Sequence, residues 1–366
     1  MTAENYSAKH ELQKNDILFA RTGATVGKTY FYDGSIGKAI FAGYCIRFRF
    51  NENRVMPKFV YWYTKTDTFL SWVNGIQRPS GQPNINKEEY KSYKILVPSK
   101  SEQEWLSSFM DIALAERTKM LYQADSLLAN ANDYLFNQLR FKSIDYKRRV
   151  CCAVTQSNVV ADKTFSAEYY HPERMAAIHA LKSNTNITAY RLSDIVEFCR
   201  DLVNLVDNDD YLGLASVESQ TGELSGIHEK AAGQAFIYKK GDVLYGRLRP
   251  YLNKVLFAEK SGVCSTEFHV MRVINCEKVL PEYVAAILRS DLILSQTRHM
   301  MTGNTHPRIS NDDVKNLYIP VPELAVQIEI VTELHDRRVQ ARRLKEEAEL
   351  NWKAAKEQFE KELLGE

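Results

Sequence analysis

The chain has 366 residues, of which 45% are hydrophobic, and a formal net charge of +2. The length favours two domains, and the composition is sufficient for ordinary buried cores. A net charge this small excludes a protein that binds nucleic acid through a basic character spread over the whole chain, so any such site must be a local patch. A polar start and the lack of an apolar run of about 18 residues predict neither a signal peptide nor a membrane span.

The cysteines indicate the compartment. None of the six forms a Cys-x-x-Cys pair, and the adjacent Cys151 and Cys152 are poorly placed for a disulfide. Buried free thiols in a reducing compartment are the simplest interpretation. We therefore expect a cytoplasmic protein.

The first part of the chain predicts short strands and helices. An apolar run over Asp16–Ala20 predicts a strand, and so does the alternation of apolar residues with arginine over 46–50. Helices are predicted over 57–66, where a proline stands first, and over 67–76. The composition of residues 78–83 predicts a loop.

Two long helical patterns follow, over 99–139 and 323–364. Each carries an apolar stripe at spacings of three, four or seven residues, which is typical of a helix that packs against another helix. A helix of roughly forty residues would be about 60 Å long, so each must protrude from a small domain or pair with a partner. The residues expected to pack helix on helix, or to dock another subunit, are Met120, Ala124, Leu128, Leu135, Leu344, Ala348, Trp352 and Phe359.

The chain repeats itself at a distance of 224 to 226 residues. Pairs at this distance include Ile85/Ile309, Val97/Val321, Gln103/Gln327, Arg21/Arg247 and Lys28/Lys254. A repeat of this size indicates two copies of one module, each a globular part followed by a long helix. The copies differ in one respect, because residues 165–241 precede Asp242 whereas only fifteen residues precede Asp16. The first module is therefore expected to be incomplete at its start.

The helical stripes keep one register across the repeat. We expect the helices to bury their stripes on each other as an antiparallel coiled-coil pair, with Trp352 opposite Ala124 and Leu128. The predicted fold class is α+β, with two globular domains, the first incomplete, separated by two long helices. The predicted boundaries are 1–99 and 164–321 for the two domains, 100–142 and 322–366 for the helices, and 143–163 for a connector.

Several features resemble catalytic or cofactor motifs without meeting their requirements. Gly23–Thr29 resembles a phosphate-binding loop, but three residues separate its glycines where the motif needs four, and a β-rich run follows. A β-turn that carries Arg21 and Lys28 is the better interpretation. The chain has no Asn/Asp-Pro-Pro-aromatic tetrapeptide of an amino-methyltransferase, and its eight histidines lack the spacing of a metal site. We therefore predict no catalytic residue, no metal and no cofactor on this chain.

The chemistry that recurs in both modules is Arg and Lys, with amides and hydroxyls, in loops. Arg and Lys contact guanine edges or phosphates, and Asn and Gln contact adenine. Solvated polar loops have a similar composition, but recurrence at equivalent places favours a shared surface. The predicted DNA-binding residues are Arg21, Thr22, Thr25, Lys28, Arg78, Ser80 and Gln82 in the first module and Arg247, Arg249, Tyr251, Lys254, Thr302, Asn304, His306 and Arg308 in the second.

In this order, and twice over, these motifs resemble the specificity subunit of type I restriction-modification systems. The likeness is carried by Asn15–Arg21 and Gly241–Arg247, by Gly23–Lys28, and by the helix entries Val97–Gln103 and Val321–Gln327, and it covers nearly the whole chain. The resemblance implies a non-catalytic subunit that binds double-stranded DNA at a bipartite site, one half per recognition domain. It also implies that the helices act as a ruler between half-sites and as a dock for methyltransferase subunits.

The resemblance places the chemistry on the partners. Methyltransferase subunits would hold S-adenosylmethionine, and a restriction and translocase subunit would use ATP and Mg²⁺. The short first domain departs from the family pattern, so one alternative is a shortened or half subunit that acts as a homodimer. A separate alternative is the detached recognition module of a fused restriction-methylation enzyme. A coiled-coil scaffold without a DNA role is a third alternative, which a mobility shift with mixed duplexes would separate from the others.

Overall fold

The computed structural model describes residues 10–76, 83–141, 144, 146, 153–162, 164–208, 211–227, 229–301, 303 and 307–365. It divides the chain into two compact units. The first unit consists of Met1–Ala124 and Arg342–Glu366, and the second of Asp125–Ala341.

The first unit is a small antiparallel sheet covered by helices. Its strands are β1 (Asp16–Ala20), β2 (Thr29–Tyr32) and β3 (Cys45–Phe48), in the order β2-β1-β3. Its helices are α1 (Pro57–Tyr63), α2 (Asp67–Ile76), α3 (Lys87–Ser92) and the first part of α4 (Lys100–Ala129). The two predicted strands and two predicted helices are confirmed. Helix α1 ends three residues before the predicted end, where the hydroxyls of Thr64 and Thr66 donate to the carbonyls of Tyr61 and Tyr63.

The second unit holds two four-stranded sheets and a two-stranded pair. The strands are β4 (Thr188–Arg191), β5 (Val196–Cys199), β6 (Leu202–Asn208), β7 (Tyr211–Leu212), β8 (Ala231–Tyr238), β9 (Val243–Gly246), β10 (Val255–Phe257), β11 (Gly262–Ser265), β12 (Phe268–Val273) and β13 (Tyr318–Val321). The sheet orders are β10-β9-β12-β5, β6-β8-β11-β7 and β13-β4. The helices are α5 (Ala131–Gln138), α6 (Gln156–Asp162), α7 (Pro172–Ser183), α8 (Pro281–Leu288), α9 (Asp291–Thr297), α10 (Asn311–Lys315) and the first part of α11 (Leu324–Leu364).

The repeated motif at Asn15–Arg21 and Gly241–Arg247 has a structural role. Asn15 and Gly241 both lie in the left-handed region, with φ of 74° and 91°. The buried carboxylate that follows then accepts the backbone N–H three residues earlier, from Gln13 to Asp16 and from Lys239 to Asp242. An arginine closes each motif, with Arg49 pairing to Asp16 at 2.7 Å and Arg272 to Asp242 at 2.8 Å. The motif therefore starts β1 in one unit and β9 in the other and ties each of them to the strand beside it.

The repeated glutamine is a second structural device. Gln103 and Gln327 are almost fully buried. The Gln103 carboxamide accepts from the backbone N–H of Met56 and donates to the Pro98 carbonyl. The Gln327 carboxamide accepts from Leu280 N–H and donates to the carbonyls of Pro322 and Lys278. Because Met56 and Leu280 are the N-caps of α1 and α8, each glutamine fastens the start of a long helix to the start of a domain helix.

In the first unit, α4 and α11 pack in opposite directions. Leu106 and Met110 share a hydrophobic cluster with Ala355 and Phe359. Further along α4, Arg117 pairs with Glu349. Residues further along α4 thus contact residues nearer the start of α11, so the two helices are antiparallel in this unit.

The second unit shows the same directions independently. Arg337 of α11 donates to the Asn130 carbonyl, and Gln138 of α5 donates to Glu329. Of the stripe, Ala124, Leu135, Ala348 and Phe359 are buried, and Met120, Leu128 and Leu344 are half-buried. A coiled coil in the strict sense, with each stripe residue held between four residues of the other helix, stays a prediction.

The expected position of Trp352 is wrong. Its ring lies 5.9 Å from Trp62 of α1, edge to face, and Arg117 lies over it. Ala124 and Leu128 occupy later turns of α4, whereas the antiparallel packing brings Trp352 beside Arg117. The ring is half-buried, so the full cost of emptying a buried tryptophan site does not apply to it.

The predicted first long helix is also interrupted. It breaks at Asn130, and α5 ends at Gln138, before the predicted boundary at 142. Arg140 adopts a left-handed φ of 53°, and Phe141 N–H donates to the Phe136 carbonyl at 2.8 Å. This closing hydrogen bond over a left-handed residue is a common helix terminator.

Two further expectations concern the compartment. Cys45, Cys199, Cys264 and Cys276 are free thiols, whereas Cys151, Cys152 and most of the connector lie outside the described residues. Within the part of the chain that the structure describes, no helix combines the length and apolar character needed to cross a membrane.

Candidate nucleic-acid interface

The first predicted loop, residues 21–28, is a tight connection between β1 and β2. Arg21 N–H donates to the Tyr44 carbonyl, and the Arg21 carbonyl accepts from Ile85 N–H. The side chains of Thr25 and Lys28 are exposed, and those of Arg21 and Thr22 are half-buried. The glycine-rich segment thus ends in a strand, which agrees with the predicted turn and not with a nucleotide-binding loop.

Tyr90 of α3 forms hydrogen bonds to the backbone at both ends of this loop. Its phenol donates to the Ala20 carbonyl and accepts from Gly27 N–H. Burial raises the pKa of Tyr90 to about 12, so the phenol stays protonated and keeps both hydrogen bonds. Gly27 has φ of +82°, and a Cβ there would lie 2.5 Å from Val73 Cγ1. Glycine at this position therefore permits the close approach of the loop to α2.

The second predicted loop, residues 247–254, occupies the equivalent place between β9 and β10. The Arg247 carbonyl accepts from Ile309 N–H, as that of Arg21 does from Ile85. Arg249 and Asn253 adopt left-handed φ angles of 49° and 52°. Such conformations cost energy in residues other than glycine and occur often at functional sites. Tyr251, at the tip, is 42% exposed.

Three predicted DNA contacts of the second unit are held by the protein itself. Lys254 Nζ donates to the Leu214 carbonyl at 2.7 Å, and Arg247 Nη1 donates to the Thr266 carbonyl at 3.3 Å. Arg308 makes a bidentate pair with Glu267, which lowers the pKa of Glu267 and raises that of Arg308. Their use in binding DNA would require these contacts to be exchanged or shared.

A cavity of about 180 Å³ lies beside Arg247. Its polar lining comes from Arg200, Arg247, His269 and Asn311, and its aromatic lining from Phe198, Phe236 and Phe268. Arg247 Nε and His269 Nε2 are buried there, and neither has a hydrogen-bond partner among the described residues. Burial, with Arg247 as the next cause, lowers the pKa of His269 to about 4, so its imidazole is neutral near pH 7. Arginine, amide and aromatic groups together are suited to nucleobases as well as to water.

Sequence reasoning missed Arg200, His269 and Asn311. His269 faces inward on a strand where alternation predicts an apolar residue, and that mismatch is the signal that could have identified it. Arg200 and Asn311 carry no comparable signal, because Arg and Asn are ordinary surface residues.

A second polar cluster, also missed, joins His171, Glu173 and His299, whose ligand atoms all lie within 4.8 Å of one another. The two imidazoles stack at 3.4 Å, so their in-plane lone pairs run nearly parallel instead of converging on one point. Arg298 and His299 pair with the buried Glu173, and His171 Nδ1 accepts from Glu173 N–H at the start of α7. The geometry fits a charged helix cap better than a metal centre, and the absence of a metal stays a prediction.

Six predicted contacts, Arg78, Ser80, Gln82, Thr302, Asn304 and His306, lie outside the described residues. The structure brings the remaining ones together as two separate sets. One set surrounds residues 21–28 in the first unit, and the other surrounds residues 247–254 and 308 in the second.

Comparison with known proteins agrees with this arrangement. The family model for the type I restriction modification DNA specificity domain matches residues 2–123 and 186–349. The chain is 23% identical over 286 residues to the type I restriction enzyme EcoDI specificity subunit of Escherichia coli, covering 76% of this chain and 62% of that protein. It is 29% identical over 123 residues to the HindI specificity subunit of Haemophilus influenzae, covering 31% of this chain and 27% of that protein. The chain thus spans less than two thirds of the length of either relative.

The fold is also similar to that of a solved chain described under complex assembly and conformational transition of the type I R-M system. The TM-score is 0.52 at 12% sequence identity, covering 98% of this chain and 84% of that one. At this identity the likeness concerns the fold alone.

Proposed function

Because the chain belongs to the family of type I restriction modification DNA specificity domains, we propose that it is the non-catalytic DNA-recognition subunit of a type I restriction-modification complex. It binds double-stranded DNA at a bipartite site, with the loop 21–28 reading one half and the loop 247–254 the other. Methyltransferase subunits and a restriction and translocase subunit supply the chemistry with S-adenosylmethionine, ATP and Mg²⁺.

The observation that carries the proposal is the duplication of one loop-bearing scaffold. In each unit, an Asp-anchored strand leads into a basic loop whose first arginine carbonyl accepts from a buried isoleucine N–H, that of Ile85 or Ile309. Two equal scaffolds that present different loop side chains suit a protein that reads two different half-sites. The antiparallel packing of helical segments within each unit supports a structural role for the helices, and their use as a ruler and a dock belongs to the proposal.

The experiment is reconstitution followed by methylation mapping. The chain is co-expressed with methyltransferase subunits, and the methylated bases of the host DNA are mapped. We expect one bipartite sequence, and we expect the lone chain to transfer no labelled methyl groups to DNA. Methylation that is unchanged when the chain is omitted would refute the proposal.

Loop variants then assign the half-sites. Lys28→Ala with Thr25→Ala should relax discrimination in one half of the mapped sequence, and Tyr251→Ala in the other half. Binding to the mapped duplex and to a scrambled duplex is measured at two salt concentrations, because phosphate contacts depend steeply on salt. Loss of discrimination in both halves from either variant would contradict the assignment of one loop to each half-site.

A further inference from the structure

A cavity of about 320 Å³ in the second unit has a one-sided charge. Its described lining includes Arg289, Arg337 and Arg338 but no aspartate or glutamate. Asn132 and Thr221 add hydrogen-bonding groups, and leucines of α4, α5 and α11 supply an apolar wall. The volume lies at the lower end of the range for small-molecule sites, about 300–1,000 Å³.

Arg289 is the centre of this site. Its Nη1 donates to the Val255 carbonyl at 2.9 Å, and no carboxylate of the described residues pairs with it. Burial lowers the pKa of Arg289 to about 9, with Arg338 as the next cause, and Glu223 opposes them. Two carboxylates lie close to the other arginines, with Glu333 2.7 Å from Arg337 and Glu223 3.9 Å from Arg338. Three guanidinium groups therefore line the cavity, and none of its described lining residues carries a carboxylate, so the lining itself is positively charged.

The backbone of residues 220–222 packs closely against the Arg289 guanidinium. Gln220 adopts a left-handed φ of 69°, which is costly for a non-glycine residue. Gly222 has φ of +69°, and a Cβ there would lie 2.5 Å from Arg289 Nη1 and 2.0 Å from the Val255 oxygen. The turn therefore needs a glycine in order to close over Arg289.

We propose that this cavity binds a small organic anion, a phosphate or carboxylate carried on a compact apolar body. Arg289 and Arg338 hold the charged group, since guanidinium groups donate paired hydrogen bonds to such anions. The leucine wall covers the apolar body. An inorganic ion alone would leave that wall unused, and a neutral ligand would leave the positive charge of the lining uncompensated.

Hydrogen bonds connect the site to the loop 247–254. Asn253 Nδ2 donates to the Arg289 carbonyl at 2.6 Å and to Gln220 Oε1 at 3.1 Å. Gln220 N–H in turn donates to the Asn253 carbonyl. A ligand that orders Arg289 and Gln220 would also order the left-handed Asn253. This consequence rests on the proposed function, because only then does a change in the loop alter DNA affinity.

Isothermal titration of the full chain tests the site directly, with phenyl phosphate as the probe and ionic strength held constant with chloride. We expect saturable binding of phenyl phosphate, weaker binding of inorganic phosphate, and none of phenol. Arg338→Gln and Arg289→Lys should each weaken binding about tenfold or more, since each removes charge-assisted hydrogen bonds. Arg343→Gln, a charge loss at an exposed position of the same helix, is the matched control and should change nothing.

Circular dichroism melts of each variant show whether it is folded, and Arg338→Gln keeps the test available if Arg289→Lys does not fold. Absence of saturable binding by any of the anions would overturn the proposal, as would binding that both cavity variants leave intact. The proposal would also be overturned if no anion bound and the two cavity variants instead weakened titrated binding of an added methyltransferase subunit. That result would favour an acidic protein partner. None of these readouts requires DNA, so failure of the proposed function and failure of this site are distinguishable.

Discussion

The sheets of the two units share a strand arrangement but carry different side chains at one equivalent strand position. In the sheet of the first unit Ile46 pairs with Phe19, and in the β9-β12 sheet of the second unit His269 pairs with Tyr245. The two positions are equivalent, because the arginines that bind Asp16 and Asp242 lie three residues beyond each. Ile46 fills an apolar core, whereas His269 borders the cavity that Arg247 also lines. A duplicated scaffold thus keeps its anchoring residues and changes its chemistry at single inward-facing positions.

The repeated lysines differ in the same way. Lys28 is exposed, whereas Lys254 donates to the Leu214 carbonyl. Leu214 belongs to residues 165–241, the segment that has no equal counterpart before Asp16. Equal sequence positions therefore need not have equal roles, and the predictions that follow separate the shared scaffold from the divergent sites.

The largest effect is expected at the shared glutamines. Gln327→Leu should lower the free energy of unfolding by about 3–5 kcal/mol, because three part-buried groups, the Leu280 N–H and the carbonyls of Pro322 and Lys278, lose their hydrogen-bond partner. Gln103→Leu should cost less, about 2–3 kcal/mol, since it orphans only the Met56 N–H and the Pro98 carbonyl. Urea unfolding measures both costs, and hydrogen exchange at Leu280 and Met56 shows which domain helix opens.

Gln358→Leu, at an exposed position of α11, is the control and should leave stability nearly unchanged. If the Gln103 variant were the more destabilised of the two, the count of orphaned groups would not explain the cost.

The next effect is acid sensitivity at His269. The unfolded histidine takes up a proton near pH 6.5, whereas the folded one stays neutral until about pH 4. The unfolded state therefore binds more protons in this window, and the second unit should lose up to about 3 kcal/mol of stability as the pH falls from about 6.5 to 4. His269→Ile, which copies Ile46, should remove most of this loss, as measured by urea unfolding at several pH values.

An exposed histidine provides the control. His179→Gln should leave the pH dependence as it is in the parent protein. Equal acid sensitivity in the His269→Ile variant would show that carboxylates, and not this imidazole, govern stability in the window.

The comparison also shows what sequence could predict. Anchors such as Gln103/Gln327 and Ile85/Ile309 repeat because backbone geometry requires them, so the repeat, the domain helices and the long helices were predictable. The cavity at His269 was not, since it depends on which side chain of β12 meets Arg200 and Asn311 from distant parts of the chain. Arg247 and Lys254 were chosen by residue type, and residue type does not reveal that protein carbonyls accept from them. Trp352 was misplaced because a shared register does not fix where antiparallel helices cross.

A smaller effect separates the two lysines in folding. Lys254→Met should cost about 1–2 kcal/mol, because it leaves the half-buried Leu214 carbonyl without its ammonium donor. Lys28→Met should leave stability within about 0.5 kcal/mol of the parent, since its side chain is exposed. Thermal and urea unfolding of both variants measure the difference. Equal costs would mean that the Leu214 contact contributes little in solution.

The smallest effect distinguishes the same lysines in DNA binding, once the DNA target has been mapped. An exposed lysine that contacts a phosphate displaces condensed counterions. Lys28→Gln should therefore make the negative slope of log affinity against log salt less steep by about 0.9. Lys254→Gln should reduce the slope less, because Leu214 already accepts from that ammonium, and its loss of affinity should accompany a loss of stability. Lys14→Gln, an exposed lysine before β1, controls for net charge. Slopes are measured by fluorescence anisotropy from low to physiological salt on the mapped duplex. An unchanged slope for Lys28→Gln would remove that lysine from the interface, while a larger change for Lys254→Gln would mean that its ammonium leaves Leu214 for a phosphate when DNA binds.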